Sequence, residues 1–253
     1  MRGSPTVAPA IDSQVSRPAS VPSRVSVDEG YARWAATYDQ TPNPLLALEE
    51  RYLLPLLPNI AGKRVLDLAC GTGRWLEKLS TAGPVLGVGI DLSPAMLDVA
   101  REKSAIRARL ARADCLNLPF KDSVFDLAIC SFALEHMGDL NRFAIETCRV
   151  LQESADLFIT ELHPTAYAAG WRTGFRDQEG AVQIESTSHS EAELVALFNG
   201  AGFSLVQALE CFVGEPERSI FALAGKERFF DAARMVPAIT ILHFQRDMRR
   251  AGC

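Results

Sequence analysis

Three acids and two glycines carry the first chemical signal in the chain. The stretch from Arg64 to Leu79 reads RVLDLACGTGRWLEKL: an apolar run with an acid at Asp67, then Gly71 and Gly73, then an amphipathic helical pattern. Asp91 closes another apolar run 24 residues on, and Asp114 follows 23 residues later. Glycines between a strand and a helix permit positive φ and remove the Cβ that keeps a ligand off the backbone. The amides that open the helix point at whatever lies there. An anion is the usual occupant, often a dinucleotide. Here the residues speak against phosphate. A GxGxxG reading from Gly71 puts Leu76 at the third glycine, and no Lys-Ser/Thr pair follows the loop. Asp67 would repel a pyrophosphate. An acid in this place suits a ligand that carries positive charge.

The elements around these residues follow from pattern and punctuation. VDEGYARWAATYDQ predicts a helix capped by Ser26 or Asp28, with Tyr31, Trp34 and Tyr38 on one face. A second helix, NPLLALEERYLLPLLP, is broken by Pro55 and Pro58. Strand 64–68 then leads into helix 72–82, and strand 85–90 into helix 94–103, with Ser93 as its cap. IRARLARAD, FDLAICSF and ADLFITEL supply three more strands, with a helix over 139–151 before the last. AYAAGWRTGFRDQEGAVQIESTSH reads as a hairpin or cap over the sheet edge. Ser190 and Glu193 form a capping box for the next helix. FSLVQALECFV is a sixth strand, 215–235 a helical connection, and AITILHFQ the final strand. Strands alternating with helices predict an α/β domain, doubly wound around a parallel sheet.

Composition sets the bounds. The 253 residues are 48% hydrophobic with a net charge of −5, enough for one large core and without the basic surplus of a nucleic-acid binder. No apolar run has the length of a spanning helix. The first 25 residues lack the apolar segment of a signal peptide and read as a disordered tail, with a single domain over 26–253. Their arginines and few acids also fit an organelle transit peptide. The six cysteines form no CxxC pair, and no His stands at finger spacing. Reduced thiols in a cytoplasmic protein are expected, with no metal.

VLDLACGTGRW resembles motif I of the class I S-adenosylmethionine-dependent methyltransferases: Asp67, then the small positions Ala69, Gly71 and Gly73. Ala69 replaces the glycine more common there. The run LPFKDSVFDLAICSFALEHMGDLNRFAIETCRVL is similar to the small-molecule branch that includes the ubiquinone and menaquinone C-methyltransferases. That branch's PGG turn before strand five is absent, and LQESADLF stands in its place. The resemblance covers 31–162 well. It implies a seven-stranded, mostly parallel sheet with an antiparallel final strand and a helical lid over 26–60; the cap over 163–189 is read from its own residues, since beyond Leu162 only the general layout is similar. It also implies the cofactor S-adenosylmethionine. Asp67 would order its methionine end, Asp91 its ribose hydroxyls, and Asp114 and the Cys115 amide its adenine. Leu92, Met96 and Cys130 would complete the cofactor site, with Tyr31 and Tyr38 reaching it from the lid.

Methyl transfer needs a held nucleophile, exclusion of water and, for some acceptors, a base. His136 in LEHM and His163 in ELHP both follow strands at the catalytic edge and are the candidate catalytic residues. Each has a second reading, as a cofactor-orienting or loop-anchoring residue. Trp171, Phe175 and His189 are candidate acceptor contacts, against a role in the insertion's own packing. The expected partner is a small apolar or aromatic methyl acceptor with an oxygen or carbon nucleophile, ahead of nitrogen or sulfur. Neither nucleic acid nor a membrane is expected, and the chain acts as a monomer or homodimer. A catalytically silent cofactor-binding subunit and a nicotinamide-dependent dehydrogenase are the rival readings.

Overall fold

A computed structural model describes residues 21–248. It opens with strand β1 (Ser23–Val25), helix α1 (Val27–Trp34) with a 3₁₀ extension (Ala35–Gln40), and α2 (Pro44–Leu53). The alternation then runs β2 (Arg64–Leu68), α3 (Arg74–Ser80), β3 (Leu86–Asp91), α4 (Pro94–Glu102), β4 (Leu110–Arg112), β5 (Phe125–Ser131), α5 (Leu140–Val150) and β6 (Leu151–Leu162). An excursion follows: α6 (Pro164–Ala168), β7 (Gly174–Arg176) and β8 (Ala181–Ile184). The chain returns through α7 (Glu191–Gly200), β9 (Phe203–Phe212), α8 (Arg218–Leu223), α9 (Phe230–Ala233) and β10 (Pro237–Arg246).

Short polar side chains start the helices where the sequence places them. Ser26 caps α1 and accepts from the Glu29 amide, Ser93 accepts from Met96 ahead of Pro94, and Ser190 and Glu193 cap each other's backbone at α7. The main sheet has the order β4-β3-β2-β5-β6-β10-β9, with β10 antiparallel to both neighbours. Both faces are covered. Leu66 and Leu68 pack with Phe143 and Phe198 on one side, and Val65, Leu127 and Ile129 pack with Leu48, Trp75 and Leu79 on the other. That two-sided burial is why these strands read as nearly continuous apolar runs. From β2 the chain winds outward to β4, then returns to place β5 on β2's other side. A crevice opens at the C-terminal ends of the strands where the winding reverses.

Three boundaries differ from the sequence reading. Ser23–Val25, inside the tail expected over 1–25, form a strand because β8 offers them a parallel partner, and the rest of that expectation, over residues 1–20, lies outside the described residues. The third strand is only Leu110–Arg112, since a 3₁₀ turn takes Arg107–Arg109. β6 begins at Leu151, which pairs with Phe125, and the register then jumps so that Leu127 meets Asp156. The intervening residues 152–155, QESA, form a bulge with Ser154 at φ 61°. β1, β8 and β7 form a separate three-stranded sheet, with β7 and β8 an antiparallel hairpin. Val25, Trp34, Phe175, Val182 and Ile184 are its small core.

Candidate functional site

A cavity of about 330 Å³ lies at the crevice. All three acids line it, each at the C-terminal end of a strand. Asp67 is 2% exposed, and its Oδ2 accepts from the Leu76 amide at 3.0 Å. Burial pushes its carboxyl up to about 7, only partly opposed by that amide and by Arg74. Asp91 accepts from Gly71 N at 2.7 Å with one oxygen and from Ser93 N at 2.8 Å with the other. Its carboxyl is also raised by burial. A carboxylate has about four acceptor positions, so Asp91 ties two loops together and keeps capacity for a ligand's hydroxyls. Asp114 is exposed and accepts from Leu116 N at 2.8 Å.

The two glycines of the loop do different work. Gly71 has φ 54°, and a Cβ there would project into open space beside the cavity. Gly73 has φ 75°, and a Cβ there would meet Ile106 Cδ1 at 2.4 Å. Gly71 leaves bare backbone toward a ligand, whereas Gly73 lets α3 start against the core. Ala69 holds φ 53° with a Cβ in place, a conformation that costs about 1–2 kcal/mol.

The opposite wall comes from the N-terminal segment. Tyr31 and Tyr38 both line the cavity. Tyr31 Oη lies 3.0 Å from His136 Nε2, and His136 Nδ1 lies 2.8 Å from the Glu185 carbonyl. A carbonyl only accepts, so Nδ1 carries the proton and Nε2 accepts from the Tyr31 hydroxyl. Burial pushes the Tyr31 phenol well above its usual range, so it stays protonated. Glu135 Oε1 stands 3.4 Å from the same Nε2. The segment is fastened at further points. Asp39 accepts from Thr72 Oγ1 at 2.6 Å and pairs with Lys103 at 2.8 Å, while Arg33 reaches Asp177 at 2.5 Å in the β7–β8 turn.

Leu92, Met96 and Cys115 line the cavity with the acids. Six sequence candidates do not reach it: Gly73, whose Cβ direction is taken by Ile106, and five more. Cys130 is inside β5 in the core. His163 caps α6 by accepting from Thr165 N at 3.0 Å, and its other ring nitrogen faces Glu210 at 3.3 Å. Trp171 packs against the core cluster that holds Leu48, Trp75, Phe221 and Ile239. Phe175 stacks on Trp34 with centroids 5.1 Å apart, and His189 lies outside the lining. Sequence reasoning missed Arg74 and Trp75. Both line the cavity, and Arg74 Nη2 bonds to Glu49 and, at 3.3 Å, to Ser131 Oγ. The missed signal was a cation on the first helical residue after the glycine loop. Among the described residues, no group of three or more His, Cys, Asp or Glu is placed to hold a metal ion, and no helix is long and apolar enough to cross a membrane.

Residues 65–154 match the family model described as a methyltransferase domain. A demethylmenaquinone methyltransferase of Deinococcus radiodurans is 36% identical over 108 residues, 41% of this chain and 45% of that protein. One of Tropheryma whipplei is 32% identical over 148 residues, 55% of this chain and 60% of that protein. The chain thus spans about half the length of these curated relatives. In fold, it is similar to an S-adenosylmethionine-dependent methyltransferase from Mesorhizobium loti, with a TM-score of 0.64 at 19% identity, over 81% of this chain and all of that one. The acid-bearing strand ends and the glycine loop lie inside the matched segment, so the likeness to a methyltransferase domain falls on the residues that line the cavity, and the fold around them is that of the S-adenosylmethionine-dependent methyltransferase structures.

Proposed function

We propose that this enzyme methylates an oxygen or carbon nucleophile on a small apolar or aromatic molecule. The carrying observation is the convergence of Asp67, Asp91 and Asp114 on one cavity from three successive strand ends. The residues fit S-adenosylmethionine. Asp67 is a buried carboxyl poised near neutrality, which ionises beside an arriving ammonium. Asp91 retains acceptor capacity for a ribose diol, and Asp114 with the Cys115 amide suits the edge of an adenine. Leu92 and Met96 supply apolar walls. When bound, the cofactor supplies a methyl group already activated on a sulfonium, so this chain's residues need only bind, exclude water and manage a proton.

Tyr31 and His136 are suited to the proton. An acceptor hydroxyl that donates to Tyr31 Oη can pass its proton through the phenol to His136 Nε2. The Glu185 carbonyl holds Nδ1–H, and Glu135 stands close enough to compensate the charge gained. Losing that proton makes the oxygen nucleophilic, and on an aromatic ring it also enriches the adjacent carbon. The names of the quinone-methylating relatives make a hydroxylated aromatic ring the first acceptor class to test. We assign the lid to α1 with its 3₁₀ extension and the cap to the β7–β8 hairpin. Their shared sheet and core support treating them as one cover over the cavity.

Calorimetry with S-adenosylhomocysteine and NAD tests the cofactor reading. S-adenosylhomocysteine is expected to bind one site per chain, with no heat from NAD. The reverse preference would replace the methyltransferase reading with the dehydrogenase one. Methyl transfer to a panel of hydroxylated aromatics tests the acceptor class. Tight cofactor binding with no turnover, alongside a stable protein partner, would favour a silent subunit.

A further inference from the structure

One bulky side chain stands where the backbone favours glycine. Phe132 has φ 50°, in the left-handed region. Among the described residues, the other non-glycine positions with positive φ hold small side chains, at Ala69, Ser123 and Ser154. A phenylalanine there is a steric outlier. Strain of this kind persists only where the surroundings hold it, and it gathers at functional sites. The Phe132 amide donates to the Thr160 carbonyl at 2.8 Å, and the turn that follows carries Glu135 and His136.

The kink redirects the ring. Along β5, Leu127 and Ile129 enter the core cluster that holds Leu48 and Trp75, while Ala128 and Cys130 enter the opposite one. By that alternation Phe132 would fall with Cys130. It packs instead against the cluster of Leu127 and Ile129. Burial does not account for the choice of residue, because Phe132 is only partly buried and lines the cavity. A glycine would make the same backbone turn without strain, as Gly71 and Gly73 do nearby. What the strain retains is the ring.

The neighbours define what that ring meets. Tyr31 and His136 line the same cavity and share a hydrogen bond, and Val27, Ala133 and Met137 line it with them. One polar pair thus stands among apolar groups, with an aromatic ring four residues before His136. Aromatic rings gain from offset-stacked or edge-to-face contact with one another beyond the area they bury. A saturated ring of similar size gains the area without that contact.

We infer that Phe132 is a specificity-determining residue, whose ring is the aromatic face against which a planar, ring-bearing acceptor lies. The assignment rests on the hydroxylated-aromatic reading of the acceptor and adds a selection to it, for planar rings over saturated ones.

Calorimetry on the S-adenosylhomocysteine complex of the full chain tests this with two probes, 2-naphthol and its ring-saturated counterpart decahydro-2-naphthol. The native chain is expected to bind 2-naphthol about fivefold tighter, the scale of one aromatic contact. Phe132→Leu keeps an apolar side chain and should bring the ratio near one, with decahydro-2-naphthol and S-adenosylhomocysteine affinities each within about twofold of native. Phe132→Tyr keeps the aromatic face and should keep the preference. Phe132→Gly should melt above Phe132→Ala, because φ 50° is free of strain only for glycine. Equal native affinities, an unchanged ratio in Phe132→Leu, or a lost preference in Phe132→Tyr would overturn the assignment while leaving the acceptor reading in place. A fall in S-adenosylhomocysteine affinity in Phe132→Leu would put the ring on the cofactor and overturn it too. Binding of neither probe by the native complex would overturn the acceptor reading and the assignment together. If Phe132→Leu melts early, the native ratio and Phe132→Tyr decide the matter without it.

Discussion

The two walls of the cavity are built by different means. The acid-bearing wall is local: Asp67, Asp91 and Asp114 each sit where a strand ends, and Asp91 bonds a loop only 20 residues away. The facing wall is assembled across the chain. Tyr31 meets His136 over 105 residues, and Arg33 meets Asp177 over 144. The first wall is fixed once the sheet forms. The second exists only while the N-terminal segment and the hairpin lie together on the sheet edge. Recognition of a ligand by the first wall and access or proton handling at the second are thereby separable.

Substitutions on the two walls should behave accordingly. The largest effect is expected from Tyr31→Phe, which breaks the path from an acceptor hydroxyl to His136. Methyl transfer to a responsive hydroxylated aromatic should fall about 100-fold, with S-adenosylhomocysteine affinity within about twofold. A matching loss of affinity would place Tyr31 on the cofactor instead. On the opposite wall, Asp91→Ala should weaken S-adenosylhomocysteine binding more than tenfold, because it would remove the proposed ribose contacts and releases the Gly71 amide. Unchanged affinity in calorimetry would count against that role.

The acid wall should also respond to pH. The Asp67 carboxyl, at about 7 in the free protein, must ionise beside a ligand's ammonium. Affinity should therefore fall as pH drops below 7, by at most about tenfold per pH unit, and level off above it. The stability consequence has the opposite sense. Because burial raises this carboxyl above its unfolded value of 3.8, the folded state holds the proton more tightly. Stability is lost as pH rises between about 4 and 7. Asp67→Asn should then melt higher than the native chain near pH 8, by a margin that shrinks toward pH 4. The smallest effect concerns the junction of the walls. Asp39→Ala removes the bonds to Thr72 and Lys103. Stopped-flow release of S-adenosylhomocysteine should quicken severalfold with little change in melting temperature, since partly exposed ion pairs stabilise by only about 0.2–1 kcal/mol.

The same contrast explains what the sequence made legible. The three acids, the Ser93 and Ser190 caps and the antiparallel last strand were all readable, because local pattern and the family motif encode them. Gly73 was read as a sign of ligand approach, but its Cβ direction is filled by Ile106, 33 residues downstream. Arg74 went unnoticed because its meaning depends on Glu49, a residue of α2. His163 and Phe175 were placed near the acceptor from their position in the chain. Their side chains are instead committed to an α6 cap and to a stack on Trp34. Pattern gives the element, but the neighbour that a side chain meets across layers is set by packing.

A crystal structure of the full chain with S-adenosylhomocysteine bears most directly on the claim that three strand-end acids bind one nucleoside. The ribose hydroxyls should lie within hydrogen-bonding distance of Asp91, with the adenine edge at Asp114 and the amino-acid tail toward Asp67. A ligand lying the other way round, or bound away from these acids, would contradict it.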